Sequence, residues 1–250
     1  MIWITGDTHG SFAWLERFCR EMGTAREDVM IVLGDAAINY FGPSLDDWLK
    51  RKLAELPITL LCIHGNHEMR PERLYTYELT PWRSGQVWQE PLFPSLLFAR
   101  DGEVYDLQGM KTLVIGGAYS VDKMRRAASG WGWWPDEQPD EETRARVEAA
   151  LEKRDWRIDA VLSHTCPLRY EPVEVFLSGI DQSRVDKSTE EWLDAIEERL
   201  TYDWWFCGHF HTDKTLTPRP GCCVRFMMHE VRPWPGGDKG MEEQPWMRLG

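Results

Sequence analysis

Five short apolar runs in this chain each lead into residues able to bind a metal ion. Ile2-Trp-Ile-Thr precedes Asp7-Thr-His9, Val29-Met-Ile-Val-Leu precedes Gly34-Asp35, and Ile58-Thr-Leu-Leu-Cys-Ile precedes Gly65-Asn66-His67-Glu68. Further along, Ile158-Asp-Ala-Val-Leu precedes Ser163-His164, and Asp203-Trp-Trp-Phe-Cys precedes Gly208-His209-Phe210-His211. Short apolar runs bounded by glycine read as buried sheet strands. In an open α/β sheet the ligand crevice lies at the carboxyl ends of the strands. Strands laid side by side would therefore deliver aspartate, asparagine and histidine into one place.

The segments between these runs support that architecture. Phe12, Leu15, Phe18-Cys19 and Met22 recur at helical spacing. Pro43 opens a second helix carrying Leu45, Trp48-Leu49, Leu53 and Leu56, and Pro57 stops it. Strands alternating with helices predict parallel crossovers in the first third. Residues 86–117 hold short strand-like pieces separated by Gly and Pro, which predicts an antiparallel, hairpin-rich second half. Residues 118–139, rich in Gly, Arg, Trp and Pro, read as a long loop suited to covering a substrate. Helices are predicted from Asp140 to Lys153 and from Ser188 to Leu200, the second with a capping box at Ser188 and Glu191. Residues 233–250 read as an irregular tail. No boundary divides the 250 residues, so a single domain is expected.

Composition narrows the setting. A net charge of −12 argues against an extended track for a nucleic-acid backbone. The six cysteines form no disulfide framework and no C-x-x-C zinc spacing. The amino terminus starts on a strand, and no apolar run approaches the length of a membrane span. A soluble protein of a reducing cytoplasm is expected.

Asp7, His9, Asp35, Asn66, His164, His209 and His211 make a set of imidazoles, carboxylates and one amide oxygen. Such donors suit Mn, Fe, Zn or Co, and the lack of thiolates argues against structural zinc. Taken singly, each block is weak: an isolated histidine usually has no metal, and Gly-Asp after a strand is commonly just a turn. Jointly they are strong, because all the histidines but His229 fall within or beside blocks that follow a strand.

The ordered set Gly6-Asp7-Thr-His9-Gly10, Gly34-Asp35, Gly65-Asn66-His67-Glu68, His164 and Gly208-His209-Phe-His211 resembles the calcineurin-like metallophosphoesterases over residues 2–211. The resemblance implies a four-layer αββα sandwich of two mixed β-sheets with two divalent transition-metal ions between their ends. Mn is the first expectation, with Fe, Zn, Co or Ni as alternatives. By position, Asp7, His9 and His211 would hold one ion, Asn66, His164 and His209 the other, and Asp35 would bridge them. His67 matches the histidine that protonates the leaving group. Chemically this is coherent: paired divalent ions lower the pKa of water, whose hydroxide attacks phosphorus while His67 supplies a proton.

Two departures matter. The protein Ser/Thr phosphatase pattern Gly-Asp-x-x-Asp-Arg-Gly has Ile38 and Asn39 at its second aspartate and its arginine, and His64 replaces a further arginine. That phosphate clamp is missing, so other cations must hold the substrate. Lys123, Arg125 and Arg126 are the candidates, with Arg70 behind them, since guanidinium and ammonium groups suit phosphate oxygens. The Trp131 to Trp134 cluster reads as packing before base stacking. The expected activity is hydrolysis of a phosphate mono- or diester of a small molecule or nucleotide. A protein phosphatase, a nuclease and a non-catalytic scaffold are the alternatives; a membrane partner and extended nucleic-acid binding are not expected.

Overall fold

The computed structural model describes residues 1–236 and 247–248. Strands β1 (Ile2–Thr5), β2 (Val29–Val32) and β3 (Thr59–Cys62) are parallel neighbours, connected by helices α1 (Ala13–Met22) and α2 (Pro43–Ala54). The hairpin of β4 (Glu78–Trp82) and β5 (Gly85–Gln89) reaches this sheet through β6 (Leu96–Ala99), which lies parallel to β3. The second sheet is built from β7 (Val104–Leu107), β8 (Met110–Ile115), β9 (Ala160–Ser163), β10 (Trp204–Cys207), β11 (Lys214–Leu216) and β12 (Cys223–Phe226). On the far edge of the first sheet, β13 (Glu230–Pro233) runs antiparallel to β1, and β14 (Met247–Arg248) runs antiparallel to β13. The strand orders are β14-β13-β1-β2-β3-β6-β5-β4 and β11-β12-β10-β9-β8-β7.

The strand runs are apolar throughout because both faces of each sheet are covered. Ile2, Ile4, Val29, Ile31, Leu61 and Leu97 turn inward and meet Tyr105, Val114, Leu162 and Phe206 of the other sheet. The alternate residues Trp3, Met30, Leu60 and Phe98 face Leu15 and Phe18 of α1 and Leu49 and Leu53 of α2. On the opposite side Leu113, Val161 and Trp205 meet α4 (Glu141–Glu152) through Val147 and Leu151, and α5 (Ser188–Arg199) through Leu193 and Ile196. Helix, sheet, sheet, helix is the expected four-layer sandwich.

Several local expectations are corrected. The second sheet is antiparallel only at its edges, because α4 and α5 act as crossovers that bring β8, β9 and β10 into parallel register. The 118–139 segment contains a helix, α3 (Lys123–Ser129), which Gly130 ends in the left-handed region. At α5 the N-cap is Lys187, and Asp186 accepts from the Ser188 N–H, so no capping box forms. Asp140 does cap α4, its side chain accepting from Thr143 N. The tail is not wholly irregular: Pro233 closes β13, Trp234 is buried and 247–248 add a strand. Residues 237–246 and 249–250 lie outside the described residues.

Candidate metal centre

Asp7, Asp35, Asn66, His164 and His209 follow the carboxyl ends of β1, β2, β3, β9 and β10, so the two sheets face each other across the site. A glycine precedes four of these five residues; a β-carbon on Gly6 would fall 2.0 Å from the Met227 carbonyl oxygen, and at the other three a polar side chain takes the space. A β-carbon on Gly34 would fall 2.0 Å from His164 Nδ1, and one on Gly65 would fall 2.0 Å from Asp35 Oδ1. One on Gly208 would fall 2.1 Å from Asp7 Oδ1. Each of these three strand ends therefore seats a polar side chain from another strand, and no residue with a β-carbon leaves room for it. The turns are also tight. His9, Asp35, His209 and His211 take φ values of +46°, +48°, +64° and +49°, a left-handed conformation that costs a non-glycine residue about 1 kcal/mol or more.

Seven side chains converge as a result. His9 Nε2 and His211 Nε2 stand 2.9 Å apart, and Asp7 Oδ2 lies 3.5 Å from His211 Nε2 and 3.9 Å from His9 Nε2. His164 Nε2 and His209 Nδ1 lie 2.9 and 3.1 Å from Asn66 Oδ1. Asp35 sits between the groups, with Oδ1 3.5 Å from His164 Nε2 and Oδ2 3.9 Å from His9 Nδ1.

Backbone and outer contacts fix these orientations. Asp7 accepts from the His209 N–H, and Asp35 Oδ1 accepts from the His67 N–H at 2.8 Å. His164 Nδ1 lies 2.8 Å from the Leu33 carbonyl, which can only accept, so Nδ1 carries the proton and Nε2 presents a lone pair. Asn66 Nδ2 donates to Ser120 Oγ, which turns Oδ1 toward the same spot. Two acceptors opposed at 2.9 Å repel unless a proton or cation lies between them. The donor set therefore fits a cation. Asp7, His9 and His211 offer one cluster of atoms able to hold a metal ion, and Asp7, Asp35 and His164 offer another.

These features coincide with a family. The calcineurin-like phosphoesterase model matches residues 1–213. The chain belongs to the calcineurin-like phosphoesterase family. It is accordingly a hydrolase of phosphoric esters, in a family that uses divalent metals. Similar solved structures include TT1561 of Thermus thermophilus, at 15% identity, with 92% of each chain covered and a TM-score of 0.53. The phosphopantetheinyl hydrolase of Mycobacterium tuberculosis is 17% identical, with 99% of this chain and 95% of that one covered and a TM-score of 0.51. At such identities the likeness is one of fold. No curated protein matches the chain.

Electrostatics in this candidate site keep the donors ready. Burial acts to raise the Asp35 carboxyl, but His164, His67, His9 and the His67 N–H together hold it well below the usual carboxylate range. Burial, helped by the neighbouring His164, brings His209 down to about 3, so its ring is neutral at pH 7. His211 moves the other way, raised chiefly by its hydrogen bond to Asp7. Burial lowers His67, opposed by Asp35. Glu68 is buried and pushed well above its ordinary value by burial and then by Asp35, while its Oε1 accepts from the Gly65 N–H.

The proposed phosphate clamp takes a different form. Arg126 is fully buried: Nε donates to Gly132 O, and Nη1 donates to Ser120 Oγ at 2.8 Å and to Asn66 O at 3.2 Å. It is a tie that holds the Asn66 backbone, not an open clamp. Arg70 is engaged elsewhere, donating to Asp101 Oδ2 and Asp136 O. Lys123 lies 4.1 Å over the Tyr119 ring. Only Arg125 of these four lines the cavity at the centre. Ile38 is buried in the core beneath α2, and Asn39 pairs with Tyr77. Trp133 donates to Glu137 and Trp134 packs against Tyr40, so these indoles serve packing.

The cavity has a volume of about 410 Å³ and opens from His9, Asp35, His67 and His211. One part of its wall comes from Tyr119 to Arg125, and a second from residues 171–186. Sequence reasoning missed the second wall. Its apolar residues carry no periodicity, since two short 3-10 turns, Val173–Val175 and Gln182–Arg184, interrupt it.

Proposed function

We propose that this protein hydrolyses phosphate esters of small organic molecules at a dinuclear metal centre. Asp7, His9 and His211 would hold one cation, Asn66, His164 and His209 the other, with Asp35 between them. The observation that carries this reading is the convergence of seven donors, including His164 Nε2 and Asn66 Oδ1 only 2.9 Å apart. Divalent ions there supply Lewis acidity to the phosphoryl group and make water a nucleophile near neutral pH. Imidazole and oxygen donors without thiolate suit manganese first, with iron, zinc, cobalt or nickel as alternatives.

His67 is the proposed proton donor. Its ring lines the cavity 5.2 Å from that of His9, and its N–H bond to Asp35 ties its position to the central carboxylate. An incoming phosphate dianion adds negative charge beside the ring and raises its affinity for a proton. Delivering that proton to a departing alkoxide contributes about 10²–10⁴-fold. Glu68 and Arg126 hold the loop that carries Asn66 and His67, through Gly65 N and Asn66 O respectively.

The cavity volume of about 410 Å³ supports a small substrate over a macromolecule, as does the net charge of −12, which disfavours extended nucleic acid. One structural neighbour is a phosphopantetheinyl hydrolase, and an organic phosphoryl substrate is the class assigned here as well. All six cysteines are free and five are buried, which suits a reducing cytoplasm. Among the described residues no helix is long and apolar enough to cross a membrane. Metal analysis with a p-nitrophenyl phosphate assay tests the reading. About two equivalents and Mn²⁺-dependent turnover are expected in the natural protein, with both lost in Asp35→Asn and His209→Ala. Wild-type turnover in either variant would refute the assignment.

A further inference from the structure

Glu68, Asp136, Glu190 and Glu197 each have a buried carboxyl oxygen without a hydrogen-bond partner among the described residues, and of these only Glu190 lines the cavity. Glu190, in the first turn of α5, is 4% exposed. Its Oε1 accepts from Thr165 Oγ1 at 2.7 Å, whereas Oε2 is buried without a hydrogen-bond partner among the described residues. Leaving such an oxygen unpaired costs about 1–3 kcal/mol. Glu190 lines the same cavity as His67 and His209, so its carboxyl group borders the space beside the metal centre.

Apolar residues line the same cavity. Phe210, between His209 and His211, stacks on Phe176 with centroids 6.1 Å apart and planes 17° apart. Leu177, Ile180 and Val185 continue this wall. Leu177 is 67% exposed, although its neighbours form a cavity wall. The charges are one-sided away from the histidines: Asp122, Glu171, Asp186 and Glu190 line the cavity against Arg125 alone. Lys187 compensates part of this by pairing with Glu171 at 2.6 Å.

We propose that the 176–190 side of the cavity is a subsite for the organic group of the ester, an apolar chain ending in an N–H donor that pairs with the Glu190 carboxyl group. This rests on the phosphoesterase reading of the centre and names the substrate class: phosphate esters of neutral or cationic amine- or amide-bearing alcohols. A polyanionic organic group, such as a nucleoside diphosphate, would meet the carboxylates and be rejected. The wall of Phe176, Leu177 and Ile180 binds the methylenes, and the pairing with Glu190 selects for the donor.

Calorimetric titration of the metal-loaded protein with 6-amino-1-hexanol and with 1-hexanol tests this without turnover. The amino alcohol should bind at least tenfold more tightly, and Glu190→Gln, shown folded by circular dichroism, should abolish the difference. A second variant, Leu177→Ser with Ile180→Ser, lies on the cavity wall and should weaken both alcohols severalfold while keeping their ratio. Equal affinities in the natural protein, or a tenfold preference that survives in Glu190→Gln, would overturn the subsite. Absent p-nitrophenyl phosphate turnover would count against the centre instead, because the ratio of alcohol affinities does not depend on catalysis.

Discussion

The His164 imidazole occupies the space that a side chain on Gly34 would need, with Nδ1 2.0 Å from the ideal β-carbon position. Gly34 also has φ +99°, so an added side chain would be strained even with room to spare. Gly34→Ala should displace His164 from Leu33 O and reduce metal stoichiometry from about two to one or less. Metal analysis after dialysis reads this directly, and retention of two equivalents would show that the ring relocates without harm.

His67 acts on the leaving group, so its worth should depend on what leaves. His67→Asn should lower kcat about 10²–10⁴-fold for an alkyl phosphate, whose alkoxide needs a proton. The loss should be far smaller for p-nitrophenyl phosphate, whose phenolate leaves unaided. Metal content should be unchanged. Equal losses on both esters would remove His67 from the role of acid.

Arg126 distinguishes a structural tie from a substrate clamp. Removing a buried guanidinium that serves Asn66 O, Ser120 Oγ and Gly132 O should destabilise the fold by about 3 kcal/mol in Arg126→Met, read as a lower urea midpoint. At temperatures where the variant is folded, KM for an aryl phosphate should stay within about twofold. A tenfold rise in KM with normal stability would return Arg126 to the phosphate.

Glu190 sets a pH dependence of stability. Burial pushes its carboxyl up to about 7 from an ordinary 4.5. Below 4.5 the group is protonated whether folded or unfolded and imposes no penalty. As pH rises toward 7 the unfolded chain ionises first, so the native state loses stability, by roughly 3 kcal/mol across the window at about 1.36 kcal/mol per unit. Glu190→Gln removes the penalty, so its advantage over the natural protein should be small at about pH 4.5 and largest above about pH 7. Denaturation midpoints at the two pH values decide it; an advantage independent of pH would show that burial does not govern this group.

The metal content should itself depend on acidity. Four imidazoles must be neutral to bind cations, and their ordinary pKa is near 6.5. His209 is already held at about 3 by burial, whereas His211 is raised by its hydrogen bond to Asp7 and competes for a proton more readily than His209. The ion near Asp7 should therefore leave first as pH falls below about 6. Stepwise metal release followed by dialysis at decreasing pH would show it, and simultaneous loss of both ions would not.

The layers of this protein were legible in the chain because burial on both faces makes a strand continuously apolar, and glycine marks where it must stop. Asp7, Asp35, Asn66, His164 and His209 could be named for the same reason: each follows such a strand, and α/β topology gathers strand ends. Proline and helical spacing likewise marked α1 and α2. Tertiary structure alone decided what the cations of 118–139 do, since a basic residue reads the same in a sequence whether it faces solvent or, like Arg126, is sealed against Asn66. It also decided the direction of β8, β9 and β10, which depends on the crossover helices and not on the strands themselves. The wall at 171–186 and the unpaired oxygen of Glu190 were beyond reach of the sequence, because an irregular segment has no period and a missing hydrogen bond exists only once every neighbour is in place.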